Sequence, residues 1–169
     1  MAAAGRDVLS AVAIGLGASL LMDVWNLFLK LAFGVSSLDY CMLGRWLRHM
    51  PNGRFRHASM SRARPMPLEC TVGWIAHYTI GAGLAVGFLF VVSPNWLLRP
   101  ALLPAVLWGV GTVVFPLFVM QPALGLGAAA SKTPNPVPAR VKSLATHTVF
   151  GVGLYASANA LNFLLRAHG

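Results

Sequence analysis

The sequence predicts an all-α integral membrane four-helix bundle, on three observations. Of 169 residues, 57% are hydrophobic and 10% are charged, with a mean hydropathy of +0.68; a soluble domain of this size draws about a quarter of its residues from the charged types. Four segments, 8–34, 71–92, 101–127 and 143–165, each supply the roughly 20 apolar residues that a helix needs to cross a hydrocarbon core about 30 Å thick. The third observation is internal. His77-Tyr78-Thr79-Ile80-Gly81-Ala82-Gly83-Leu84 and His147-Thr148-Val149-Phe150-Gly151-Val152-Gly153-Leu154 share His-x3-Gly-x-Gly-Leu at an offset of 70.

The first span opens after Arg6, as a signal peptide does, but its apolar run continues to Phe33 with no small-x-small cleavage site, so it is expected to be retained. It carries Gly15 and Gly17, and the third span carries Gly109 and Gly111. Each glycine pair opens a helix pair that the His-x3-Gly-x-Gly-Leu pattern closes. A duplicated helix pair is the expected origin, the first copy holding a longer loop. In lipid, helices associate through close packing and hydrogen bonds rather than through a hydrophobic driving force. Gly15, Gly17, Gly81, Gly83, Gly109, Gly111, Gly151 and Gly153 are therefore expected to be packing notches.

Between the first two spans, Leu43, Trp46, Leu47 and Met50 recur at helical spacing, after an N-cap expected at Ser37 and before Pro51-Asn52-Gly53. This predicts an amphipathic helix over 37–50, lying on the membrane surface with Trp46 as anchor. Residues 54–64 have no apolar period, and 131–138 reads as a stiff proline-rich connector. In the third span, Pro116 and Pro122 remove amide donors and free the carbonyls of Thr112 and Phe118.

Formal net charge is +9. Ten of the thirteen basic residues fall at one end: Lys30, Arg45, Arg48, Arg54, Arg56, Arg62, Arg64, Lys132, Arg140 and Lys142. Arg6, Arg99 and Arg166 fall at the other. The positive-inside rule then places loops 35–70 and 128–142 in the cytoplasm and both termini outside. The six loop arginines from Arg45 to Arg64 are expected to meet anionic lipid rather than nucleic acid. Cys41 and Cys70 share the first loop, lack metal-ligand spacing, and are expected as reduced thiols.

Ser19, Asp23, Asn26 and Lys30 recur at spacings of four, three and four, and so share one face of the first helix. A carboxylate inside the bilayer faces the bundle interior with a partner. At 1.5 Å per residue, Asp23 lies about 4 Å, His77 about 7 Å, His147 about 10 Å and Gln121 about 12 Å into the cytoplasmic half. Asp23, Asn26, His77, Gln121 and His147 are the candidate polar site, with a histidine or Lys30 as partner for Asp23. Small-solute or ion transport, linked to protons or a metal, is the activity this site suggests. A non-catalytic accessory subunit of a larger membrane complex is the alternative. No cofactor is expected, although His77 and His147 permit axial haem ligation and Asp23 with two histidines permits a divalent metal. With four acidic residues and no phosphate loop, zinc motif or nucleophile elbow, an enzyme of the soluble type is not expected. The expected partners are lipid and further copies or subunits, since four short helices enclose little volume.

Met22-Asp23-Val24-Trp25-Asn26, Gly73-Trp74-Ile75-Ala76-His77-Tyr78, Met120-Gln121-Pro122 and Ser143-Leu144-Ala145-Thr146-His147 are similar to segments of a family of small bacterial inner-membrane proteins whose domain has no known function. The resemblance covers nearly the whole chain. It implies an inner-membrane setting and four spans, and it brings no activity, substrate or cofactor.

Overall fold

The computed structural model describes residues 2–35 and 39–167, and among these it contains helices and no strand. The helices are α1 (Ala2–Phe33), α2 (Tyr40–His49), α3 (Glu69–Leu89), α4 (Leu102–Thr112), α5 (Gln121–Ala123) and α6 (Pro136–Ala167). A π-helical segment, Pro116–Met120, joins α4 to α5, so that Leu102–Ala123 forms one rod. Among the described residues, four helical stretches are long and apolar enough to cross a membrane: Gly5–Phe33, Glu69–Leu89, Leu102–Ala123 and Pro136–Ala167. Their outer faces match that reading, with Leu31 76%, Leu103 69% and Phe163 73% exposed. A water-soluble fold would bury such side chains at about 25 cal/mol per Å².

Helix α1 lies against α3 on one side and α6 on the other, and α4 lies against α6. The small-residue notches set these contacts. A Cβ on Gly15 would stand 2.7 Å from Ala82 Cα and the Gly81 carbonyl, and one on Gly109 would stand 2.6 Å from the Gly151 amide nitrogen. Gly153 admits Ala18 in the same way, Gly17 admits the Ser157 hydroxyl, and Gly81 admits the Ser19 hydroxyl. Gly83 and Gly111 depart from the expectation. A Cβ at either meets nothing within 4 Å, so these two do not set a helix contact. The core between the notches holds Ala18, Phe88, Ala105, Phe150 and Leu154, all buried.

Helix α2 is present but begins at Tyr40, because Asp39 caps it by accepting from the Cys41 amide at 2.8 Å. The cap expected at Ser37 lies outside the described residues. The helix closes through a 3₁₀ turn, Met50–Asn52, at Gly53 with φ +73°. It does more than lie on a surface. Gly44 and Gly73 face each other with no Cβ between the backbones, so α2 sits directly on α3. That crossing also differs from the expectation of reduced thiols by bringing Cys41 and Cys70 together: with Cα atoms 3.9 Å apart, they form a disulfide in this structure.

Arg45 is likewise turned away from lipid. Its Nε donates to Glu69 at 2.8 Å and its Nη2 at 2.6 Å, while Nη1 donates to the Met60 and Ala63 carbonyls. A bidentate pair of this kind fixes geometry as well as contributing energy. Arg54, Arg56, Arg62 and Arg64 stay exposed. The irregular stretch after α2 docks onto the chain after α5, with His57 N–H donating to Ala123 O at 2.9 Å and Met60 N–H to Leu124 O at 3.0 Å. Both long loops therefore share one end of the bundle. The proline-rich connector is shorter than expected, since Pro136 and Pro138 fall in the first turn of α6, where helix amides have no intrahelical partner.

Candidate functional site

Asp23 is the centre of the polar cluster. Its face of α1 turns toward α3, leaving the side chain 16% exposed. The Tyr40 hydroxyl donates to Oδ1 at 2.9 Å and the Tyr78 hydroxyl to Oδ2 at 2.9 Å. His77 Nε2 lies 3.2 Å from Oδ1 and 3.3 Å from the Tyr40 oxygen. Because Tyr40 spends its one proton on Asp23, it meets His77 as an acceptor, so Nε2 carries a hydrogen. Three donors thus converge on one carboxylate and satisfy both of its oxygens. The Tyr40 and His77 rings stack with centroids 4.3 Å apart. Burial, then the Asp23 carboxylate, hold the Tyr40 phenol well above its ordinary range, so it remains a donor. Lys30 stays exposed and makes no part of this cluster.

The second histidine has a different environment. Thr112 donates its hydroxyl to the Gly109 carbonyl at 2.6 Å, and His147 Nδ1 lies 2.9 Å from Thr112 Oγ1. With that hydroxyl proton committed, Nδ1–H is the donor and Nε2 keeps a lone pair. His77 therefore belongs to an acidic cluster, whereas His147 belongs to a neutral one. Among the described residues, no three His, Cys, Asp or Glu side chains converge as a metal site.

A cavity of about 760 Å³ lies between these clusters. Met22, Leu84, Phe115 and Phe150 give it apolar walls; Ser19, Asn26, Tyr40, His77, Thr112, Gln121, Thr146 and His147 give it polar groups, and Asp39 and Lys142 bring one charge of each sign. Gln121 is 8% exposed, and its Oε1 and the Thr146 Oγ1 are buried without a hydrogen-bond partner. The π turn delivers Gln121 here: Pro116 brings no amide, and the Gln121 N–H reaches back five residues to the Pro116 carbonyl. Four of the five predicted site residues, Asn26, His77, Gln121 and His147, line the cavity. Asp23 does not line it, but stands behind His77 and Tyr40.

The sequence reading missed Tyr40 and Tyr78. Tyr78 had a signal, being a polar side chain beside His77 within a span. Tyr40 had none, because its place depends on α2 crossing α3.

The fold and cavity define a class: among the described residues, an all-helical protein with four helices long and apolar enough to cross a membrane, and a mostly apolar, half-open cavity flanked by a hydrogen-bonded carboxylate. The chain belongs to the family described as a protein of unknown function (DUF2938), whose model matches residues 12–161. No curated protein and no solved structure matches it.

Proposed function

We propose that the protein is a multi-pass protein of the bacterial inner membrane that moves a small solute through this cavity, coupled to proton movement. The carrying observation is a carboxylate, held by three donors within a candidate membrane span, one side chain away from a chamber of solute size. Ionisable groups inside a membrane are costly and cluster on ion and proton paths. In this reading, His77 accepts a proton from the chamber at Nδ1 and releases the Nε2 proton toward Asp23. Tyr40 and Tyr78 hold the carboxylate in place through the exchange. The proton-linked form is preferred over the metal-linked form because the donor set is one carboxylate, one histidine and two phenols.

In the proposed orientation, both termini lie outside and loops 35–70 and 128–142 lie in the cytoplasm, following the arginine distribution. We also propose that α1–α3 and α4–α6 are copies of one helix pair. Gly15 meeting Gly81 and Gly109 meeting Gly151 supports this, since each pair closes on its corresponding glycines.

The test is proton uptake by protein-containing liposomes carrying a trapped pH-sensitive dye, under a potassium diffusion potential. Wild-type protein is expected to acidify the lumen, and Asp23→Asn and His77→Ala are expected to abolish the signal. Equal rates for wild type and Asp23→Asn would overturn the proposal.

A further inference from the structure

Two properties of the chamber narrow what it holds: where it opens and which polar atoms it leaves unmatched. Trp108 bridges α3 and α4 on one side of the chamber, donating to the Leu84 carbonyl at 3.1 Å and leaning on Phe88. Toward the loop end, Ile80 of α3 faces the chamber together with Phe115 and Val119, and all three are about half exposed. Gly83 lines the same gap, with open space where its Cβ would be. The mouth is therefore apolar and sits on the side of the bundle, where hydrocarbon would surround it.

The unmatched atoms inside are acceptors. Gln121 Oε1 is one, and His147, which lines the same wall, offers a lone pair at Nε2 because Nδ1 donates to Thr112. Thr146 Oγ1 adds a hydroxyl that both accepts and donates. Among the described residues that line the chamber there is one cation, Lys142, and one carboxylate, Asp39, so the wall carries no net charge, which disfavours a phosphate or carboxylate head. A buried acceptor left unpaired is costly, so a guest that donates hydrogen bonds to Gln121 Oε1 offsets that cost.

We propose that this chamber binds an uncharged lipophilic molecule bearing hydroxyl donors, of the long-chain phenol or hydroquinone class, entering sideways from the bilayer. Its hydroxyls meet Gln121, Thr146 and His147, its ring lies between Phe150 and Leu84, and its chain leaves between Ile80 and Phe115. The inference deepens the transport reading by naming the guest, and it rests on the same cavity.

The experiment is equilibrium binding of decylhydroquinone and of its dimethyl ether to purified protein in detergent, under reducing conditions. The ether keeps the shape and removes both donors. Saturable binding of the hydroquinone, about tenfold or more tighter than the ether, is the expected result. Gly83→Leu fills the gap and is expected to abolish binding, whereas Gly111→Leu, also on open space but outside the chamber, is expected to bind as wild type. Gln121→Met keeps the volume and is expected to shrink the preference over the ether. Equal affinity for both compounds, or binding untouched by Gly83→Leu, would overturn the assignment. Proton uptake that persists without hydroquinone binding sinks the guest alone. Binding that persists while Asp23→Asn leaves proton uptake unchanged sinks the transport reading alone.

Discussion

Replacing Gly151 by alanine tests how the bundle is held. The new Cβ would stand 2.5 Å from the Ala105 carbonyl oxygen and 2.7 Å from Val106 Cα. Both neighbours are backbone, so no side-chain rotation relieves the clash. To reach ordinary contact, α4 must withdraw from α6 by about 0.9 Å, which forfeits much of the dispersion along the interface. Overpacking of this kind costs roughly 1–3 kcal/mol. At about 2 kcal/mol, the unfolding constant rises by roughly thirtyfold. Gly111→Ala is the matched control: it lies on α4 as well, meets nothing within 4 Å, and gains up to about 1 kcal/mol in helix propensity. The assay is SDS-driven unfolding in mixed detergent micelles, followed by tryptophan fluorescence. Gly151→Ala is expected to unfold at lower SDS than wild type, and Gly111→Ala at equal or higher SDS. If the two variants unfold together, helix contact at Gly109–Gly151 is not what holds α4 to α6.

Two further predictions concern the polar groups. Tyr40→Phe and Tyr78→Phe each remove one donor from the Asp23 carboxylate, and each is expected to cost about 1.5–3 kcal/mol in the same unfolding assay. In Asp23→Asn, the added cost of either change is expected to fall, and strict additivity would refute the shared hydrogen-bond network. His57 supplies the pH dependence. Burial, then the charges of His49 and Arg54, hold it below its ordinary value of 6.5, so the folded state takes up this proton less readily than the unfolded one. Stability from this group is therefore present above about pH 6.5 and lost as pH falls below it. Protection against hydrogen exchange at the His57 and Met60 amides, which tie the two loops together, is expected to fall below that pH. His57→Phe is expected to flatten the profile, and an unchanged profile would remove His57 as its source.

The helices were legible because hydropathy over 20 residues is a local property, and it located all four long segments. Their ends were less so. Pro136 and Pro138 read as connector, yet proline is tolerated in the first helical turn, where no amide is needed. The glycine register found the helix faces but could not separate Gly81, which admits Ser19, from Gly83, two residues on, which borders empty space. At 3.6 residues per turn, two positions differ by about 200°, and only the neighbouring helices tell which faces which. The acidic cluster was half legible. A carboxylate in a span implies a partner, and His77 was a candidate, but Tyr40 comes from a helix whose docking depends on Gly44 meeting Gly73. The same crossing explains the Arg45–Glu69 pair, whereas charge counting alone places Arg45 against lipid.

The disulfide and the arginines make opposing statements about one end of the molecule, and this conflict is itself decidable. Ten basic residues gathered at the loop end argue for the cytoplasm, where thiols are kept reduced. Cys41 and Cys70 at that end are nevertheless bonded. Docking of α2 does not require the bond, because the Gly44–Gly73 notch and the two Arg45–Glu69 hydrogen bonds act at the same crossing. Closing a loop across a separation of 29 residues contributes about 3–4 kcal/mol through the unfolded chain. A cytoplasmic pair would therefore be a reduced dithiol in the cell, forming its bond on oxidation and stiffening an already assembled crossing. Cys70 is exposed and reports on this. A membrane-impermeant maleimide is expected to label it in inverted vesicles without reductant, and to leave it unlabelled in intact spheroplasts. Labelling in spheroplasts, and there only after a reducing agent, would reverse the orientation and make the disulfide a permanent clamp. Cys41→Ser separates the two cases a second way: it leaves unfolding unchanged where the pair is normally reduced, and costs about 3–4 kcal/mol where it is normally bonded.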